Sequence, residues 1–105
     1  MAESPENLWL AELWLEHRER IARLLVLRMP AVLQRRLSVE DLLQETYLAC
    51  GRRVAFLQAE PAVPMYVKLR RIALQTLTDM ERHHLAAAKR DAMKAVSYTH
   101  LTLPT

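Results

Sequence analysis

Apolar side chains recur at three- and four-residue steps along most of the chain, and this period predicts helices. The first helical block opens with Ser4-Pro5-Glu6. These residues supply a helix cap, a first-turn proline and an acid near the positive end of the helix dipole. The block runs to Pro30, and its predicted core residues are Leu10, Leu13, Trp14, Ile21, Leu24 and Leu25.

A second long block follows a short segment, Ala31 to Leu37, which predicts a brief helix of its own. The block begins at Ser38, with Asp41 as a variant of the capping box, and runs to about Leu57. At about 100° per residue it divides into two faces. The predicted core face holds Leu42, Leu43, Thr46, Tyr47, Cys50, Val54 and Leu57, and the exposed stripe holds Asp41, Gln44, Glu45, Leu48 and Arg52.

The third long block follows a two-proline loop, residues 58–64, and runs from about Met65 to Met93 without an internal glycine or proline. One face is basic, and a row of cations of this kind can follow a phosphate backbone. The predicted buried stripe is Met65, Leu69, Ile72, Ala73, Leu77 and Met80. The opposite face holds Lys68, Arg71, Gln75, Arg82 and Lys89, with Arg70 and Arg90 close to it.

Together the blocks predict an all-α domain, a small bundle of three long helices and one short helix. The chain has 105 residues, 51% of them hydrophobic, and a single glycine, which suits one small helical domain over residues 1–95. The last ten residues, 96–105, contain no acid, lysine or arginine and do not extend the helical period. They resemble translated adapter sequence, so we expect a non-native tail.

The charge is unevenly distributed, which indicates two different partners. Residues 1–61 carry a net charge of −1, and residues 62–105 carry +4. The lone Cys50 has no partner for an intramolecular disulfide, so we expect a reducing, cytoplasmic compartment. We expect no signal peptide, because the start has no basic segment and acidic residues interrupt its apolar positions. We expect no membrane span, because no apolar run approaches roughly 18 residues.

Two faces are candidates for binding, although ordinary solvated helix faces can look the same. The acid and amide stripe of the second block, with Leu48 as an apolar anchor, suits a protein partner that offers Arg and Lys. The third block adds Tyr66, Gln75, His83 and His84 to its cations as groups that can contact exposed bases. His83 and His84 are adjacent and diverge by about 100°, a poor geometry for sharing a metal. We expect no metal, no cofactor and no enzymatic activity, since common catalytic motifs are absent.

Two motifs in order resemble region two of the extracytoplasmic-function sigma factors of bacterial RNA polymerase. Asp41-Leu-Leu-Gln44-Glu45-Thr-Tyr-Leu follows the family pattern D-L-x-Q-E-x-[FY]-L. Lys68-Leu-Arg-Arg-Ile-Ala, with Asp79 and Arg82, follows W-L-x-R-I-A-x-N-x-x-x-D-x-x-R, except that Lys68 and Gln75 replace the usual Trp and Asn. The end of the block, Arg82-His-His-Leu-Ala-Ala-Ala-Lys-Arg-Asp91, is similar to a planctomycete-type branch, and the resemblance covers about residues 8–93.

The resemblance implies the fold of sigma region two and a division of labour between the helices. The first motif would dock on the clamp helices of the largest subunit of the polymerase core. The second would hold the single-stranded non-template strand of the minus-ten promoter element, with loop 58–64 near a base pocket; an anti-sigma factor is a further implied partner. Carried over, the core-binding residues are Asp41, Gln44, Glu45 and Leu48. The DNA-binding residues are Tyr66, Lys68, Arg70, Arg71, Gln75, Arg82, His83 and Lys89.

Sigma factors of this type carry a second, helix-turn-helix domain for the minus-thirty-five element, and none is visible in these residues. We therefore expect the chain to be incomplete as an initiator. Two other interpretations stay open. One is a helical protein-interaction module that binds another protein's coiled coil and no DNA. The other is a helix-turn-helix regulator of duplex DNA, although the short glycine-containing turn of that motif is not seen.

Overall fold

In the computed structural model, the backbone is described for residues 4–102 and the side chains for residues 4–94. Every regular element of this part is an α-helix, which confirms the predicted all-α class. There are five helices in this range rather than the predicted four. They are α1 (Pro5–Arg28), α2 (Ala31–Gln34), α3 (Val39–Arg52), α4 (Val54–Gln58) and α5 (Met65–Thr102).

The helix starts follow the predicted capping residues. Ser4 caps α1 by accepting a hydrogen bond from the Asn7 N–H at 3.2 Å. Ser38 and Asp41 form a reciprocal capping box on α3. The Asp41 N–H donates to Ser38 Oγ at 3.2 Å, and the Ser38 N–H donates to the Asp41 carboxylate at 3.1 Å. These bonds satisfy backbone donors that the first helical turn leaves without partners.

The second long block is not continuous, which corrects the prediction of one helix from Ser38 to about Leu57. The helix is interrupted at Arg53, whose φ of −124° and ψ of 32° lie outside the helical region. Gly51 lies two residues before this interruption. Because glycine has a low helix propensity, the last turn of α3 is less stable and the helix can end there. The short helix α4 then turns Leu57 into the core, where its side chain is fully buried.

The core lies where α1, α3 and α5 pack on one another, with α4 against α5. Most residues predicted to be buried are found there, including Leu10, Ile21, Leu42, Leu69 and Ile72. Partly buried side chains surround them, among them the predicted core residues Leu13, Tyr47, Val54, Met65 and Met80. Two threonines are also buried, and each hydroxyl donates to a carbonyl one turn earlier in its own helix, so neither is left unpaired.

Helix α5 extends well beyond this core. Met80 is the last residue along it that packs against the buried cluster, and none of the side chains from 81 to 94 is buried. The backbone is helical through Thr102, so the predicted end near Met93 is wrong. The expected non-native tail, 96–105, has side chains outside the described residues. α2 likewise ends at Gln34 instead of Leu37. Within the described chain, none of the helices combines the length and apolarity needed to cross a membrane.

Candidate functional site

The acid and amide residues of α3 lie on its solvent side. Asp41 and Gln44 are exposed, Glu45 is half-buried, and Leu48 keeps 46% of its surface accessible. The intervening residues, such as Leu42, point into the core. The predicted stripe therefore exists as an accessible surface with an apolar residue at one end.

This stripe borders two different depressions. The first, here called the α1–α3 groove, is lined by Trp14, Arg18, Glu40, Asp41, Leu43, Gln44 and Tyr47. The second, the α3–α5 cleft, is lined by Glu45, Ala49, Arg52, Arg53, Ile72, Gln75, Thr76, Asp79 and Met80. Asp41 and Gln44 thus face one depression and Glu45 the other.

The α1–α3 groove combines aromatic rings with charge. The ring centroids of Trp14 and Tyr47 are 5.5 Å apart and tilted by 54°. Arg18 Nη2 of α1 lies 2.5 Å from Glu40 Oε2 of α3. Glu40 was not among the predicted site residues, although it lies one helical turn before Gln44 and that spacing could have pointed to it.

The basic face of α5 is exposed along Arg71, Gln75, Arg82 and Lys89. Arg71 and Lys89 are separated by about 27 Å at the helical rise, so this face is long and narrow. Gln75 Nε2 donates to Asp79 Oδ1 at 3.1 Å, which leaves the Gln75 carbonyl oxygen free to accept. His83 is exposed but diverges from Arg82 by about 100°, with its ring centroid 5.5 Å from that of His84.

Lys68 does not belong to that face, and its predicted exposure is wrong. Only 5% of its surface is accessible. Its Nζ donates to the carbonyl of Leu57 at 3.0 Å and to the carbonyl of Ala59. The aliphatic stem lies at the edge of the core stripe, one turn before Ile72, and the ammonium neutralises the carbonyl end of α4. Lys68 therefore joins α4 and the following loop to α5, and its buried ammonium is not accessible to DNA.

Tyr66 and Arg70 lie on another side of α5, one turn apart and turned away from Arg71. The Tyr66 ring packs against α1, with the Arg20 Cζ 3.6 Å from the ring centroid. The ring of His17 is also near, at 6.4 Å between centroids. A guanidinium over an aromatic face is a favourable cation–π contact, and it covers that face of the ring. The structure therefore does not bring Tyr66 and Arg70 together with the basic face.

A pocket lies under the two-proline loop, next to Arg71. It is lined by Phe56, Ala59, Glu60, Val63, Val67, Lys68 and Arg71. Glu60 has φ of 48°, a left-handed conformation that is costly for a side chain of its size. Its carbonyl accepts from the Val63 N–H at 3.0 Å, which closes the turn. With the Arg71 Cζ 5.7 Å from the centroid of the Phe56 ring, this loop pocket offers apolar walls and a cation to a planar ligand.

Cys50 is fully buried, which confirms its prediction as a small hydrophobe. Burial raises the pKa of its thiol to about 11, although the nearby charge of Arg53 acts in the opposite direction. A protonated, inaccessible thiol is a poor nucleophile. Among the residues that the structure describes, no group of three or more His, Cys, Asp or Glu side chains is placed to hold a metal ion.

Compared with protein family models, curated proteins and solved structures, the chain matches none. Its functional interpretation therefore depends on its own motifs and on the surfaces described above. The two that matter are the acid and amide stripe of α3 and the basic face of α5, both accessible to solvent.

Proposed function

We propose that this chain is region two of an extracytoplasmic-function sigma factor, which binds RNA polymerase core and opens the minus-ten promoter element. The observation that carries the proposal is how the first motif divides between solvent and core. Asp41, Gln44 and Leu48 are exposed, whereas Leu42 and Leu43 of the same motif are buried. The polar positions by which the family docks on polymerase are thus accessible to solvent, although Asp41 also caps α3, and the apolar ones stabilise the fold.

The basic face of α5 and the loop pocket support the DNA half of the proposal. Arg71, Arg82 and Lys89 would contact phosphates of the non-template strand, and Gln75 would meet a base edge. The loop pocket, with Phe56 and Arg71 side by side, would take an unstacked base. Tyr66 enters the proposal only as a residue that holds α5 against α1, and Arg70 is not among the proposed DNA contacts.

Duplex opening in this proposal is driven by binding, and no bond is made or broken. Each base taken out of the stack costs a few kcal/mol, which new stacking and hydrogen bonds offset. The isolated chain would bind promoter DNA poorly, because polymerase positions the strand and adds further contacts. The relevant assays therefore contain core polymerase.

The polymerase surface is tested by measuring affinity for purified core polymerase. Gln44→Arg and Glu45→Arg should each weaken binding by about tenfold or more, because they place cations where the partner is expected to offer its own. Asp41 is avoided, since its carboxylate also caps α3. Glu16→Arg, at an exposed position of α1, is the matched control and should leave affinity unchanged. Equal affinities for all three variants would refute the assignment of this surface.

The DNA surface is tested with polymerase bound to a forked promoter that presents a single non-template strand. Arg71→Gln with Arg82→Gln should weaken binding and reduce the slope of log affinity against log salt by about 1 to 2. Arg23→Gln with Arg28→Gln removes the same charge from exposed positions of α1 and should leave the slope unchanged. An unaltered slope in the α5 variant would contradict the DNA half.

A protein-interaction module without DNA binding is the second candidate function. Apolar side chains left exposed on α1 favour it, above all Leu27 and Leu15, with 84% and 75% of their surfaces accessible. This candidate predicts a bound protein partner and no change in promoter binding when Arg71 and Arg82 are replaced.

A further inference from the structure

We propose that the α1–α3 groove binds an arginine side chain of the partner protein and that Arg18 is an internal competitor for the same position. The inference rests on the proposed function in taking polymerase core as that partner. Beyond that function, it names the chemical group recognised and a contact within this chain that opposes recognition.

The lining of the groove suits a guanidinium. Trp14 and Tyr47 contribute neighbouring rings, and Glu40 and Gln44 contribute a carboxylate and an amide at the rim. A guanidinium is planar and weakly hydrated, so it can lie against an aromatic ring while its N–H groups donate to a carboxylate. Asp41 is less available, because its Oδ2 already accepts two hydrogen bonds from Ser38.

The groove already holds a guanidinium, that of Arg18. This side chain lines the groove and donates to Glu40 across the gap between α1 and α3. The two side chains remain 39% and 68% accessible, so water screens the pair and replaces it at little cost. An arginine arriving on a partner helix can therefore take over Glu40, but only after Arg18 has left.

Such a competitor lowers the affinity of the free chain by a predictable factor. The apparent dissociation constant equals the intrinsic constant divided by the fraction of molecules in which Arg18 has left the position. An exposed ion pair of this kind allows an effect of about two- to fivefold. Removing Arg18 should thus strengthen binding, whereas removing a residue that only supports the groove would weaken it.

The first test compares the affinity of core polymerase for the wild-type chain, Arg18→Gln and Arg23→Gln. Arg23 is an exposed arginine of the same helix and does not line the groove, so it controls for loss of positive charge. Arg18→Gln should bind about two- to fivefold more tightly and Arg23→Gln within error of wild type. In a Glu40→Gln background, the gain from Arg18→Gln should vanish. Binding by Arg18→Gln no tighter than by Arg23→Gln would overturn the proposal.

A second test does not require polymerase and separates this inference from the proposed function. N-acetyl-arginine amide is titrated into the Arg18→Gln chain while the backbone amide resonances of Gln44 and Tyr47 are followed by NMR. Saturable shifts should appear, smaller in the wild-type chain and absent with the uncharged N-acetyl-citrulline amide. Lack of shifts, or equal shifts with citrulline, would overturn the inference. If wild-type chain fails to bind polymerase, the proposed function fails and this titration alone decides the arginine site.

Discussion

Lys68 has the charge and the helical position expected of a DNA contact, but its side chain stabilises the fold instead. On a helical wheel it is the neighbour of Gln75 and Arg71, and its charge suggests DNA. In the fold, α4 and the two-proline loop cover that edge of α5, and the ammonium meets two backbone carbonyls. The position at which the related motif has Trp is thus filled by a lysine stem and a helix-capping charge.

Replacing Lys68 by Met should therefore destabilise the fold. The substitution keeps a stem of similar length but leaves the Leu57 and Ala59 carbonyls without their donor, a loss of about 1–2 kcal/mol. Lys89→Met is the matched control on the exposed face and should change the free energy of unfolding by less than about 0.5 kcal/mol. Urea denaturation of the two variants measures both values, and equal losses would contradict the capping role.

Cys50 predicts a defined dependence of stability on pH. Burial raises the pKa of the thiol from 9.0 to about 11, so the folded chain holds this proton more tightly than the unfolded chain. The stabilising contribution is complete below pH 9 and is lost as the pH rises toward 11. By pH 10 the loss should be about 1 kcal/mol. Measured from pH 8 to 10, the free energy of unfolding should fall more steeply for wild type than for Cys50→Ala, and parallel curves would contradict the prediction.

At the scale of helices, the starts could be predicted and the interruptions could not. Ser4 and Ser38 mark the starts of α1 and α3 in the sequence, because a helix cap involves only residues within one turn of each other. The break at Arg53 is different, since it depends on burying Leu57 against α5 and on Lys68 meeting the last carbonyls of α4. The same limit applies to the site. Exposure of Gln44 follows from the helical period, whereas the contact between Arg18 and Glu40 joins residues on different helices.

Gly51 gives a prediction at the scale of α3. It has no positive φ, and a Cβ at this position would lie 3.9 Å from Leu10 Cδ2, an ordinary contact distance. Gly51→Ala should thus stabilise the chain by about 0.5–1 kcal/mol, because alanine loses less backbone entropy in a helix. Urea denaturation followed by circular dichroism measures the change, and a loss of stability would show that the end of α3 needs glycine.

At the scale of the whole molecule, α5 consists of a part that packs in the core, up to Met80, and a part beyond it whose described side chains do not. Up to Met80 it supplies one wall of the core, and beyond that residue its described side chains contribute nothing to the buried cluster. The second part carries Arg82, Lys89 and about half of the length of the basic face. The first segment therefore serves both stability and the proposed DNA contact, whereas the second serves the DNA contact alone.

Shortening the chain to residues 1–88 tests this division. Because the removed segment makes no core contact through residue 94, the free energy of unfolding should change by less than about 0.5 kcal/mol. In the proposed complex, loss of Lys89, Arg90 and Lys94 should lower the salt slope of promoter binding by about 1 to 2. Urea denaturation and salt titration give the two values, and a loss of stability above about 1 kcal/mol would contradict the division.

The α3–α5 cleft joins the two halves of the proposed function, since Glu45 and Gln75 line the same depression. A shift of α3 relative to α5 that favours binding of polymerase would also change the surface that binds DNA, and the reverse. By thermodynamic linkage the effect is mutual. The factor by which bound polymerase raises the affinity of this chain for the opened strand equals the factor by which the bound strand raises its affinity for polymerase. Promoter DNA would hold this chain on the enzyme, and departure of the strand would make its release easier.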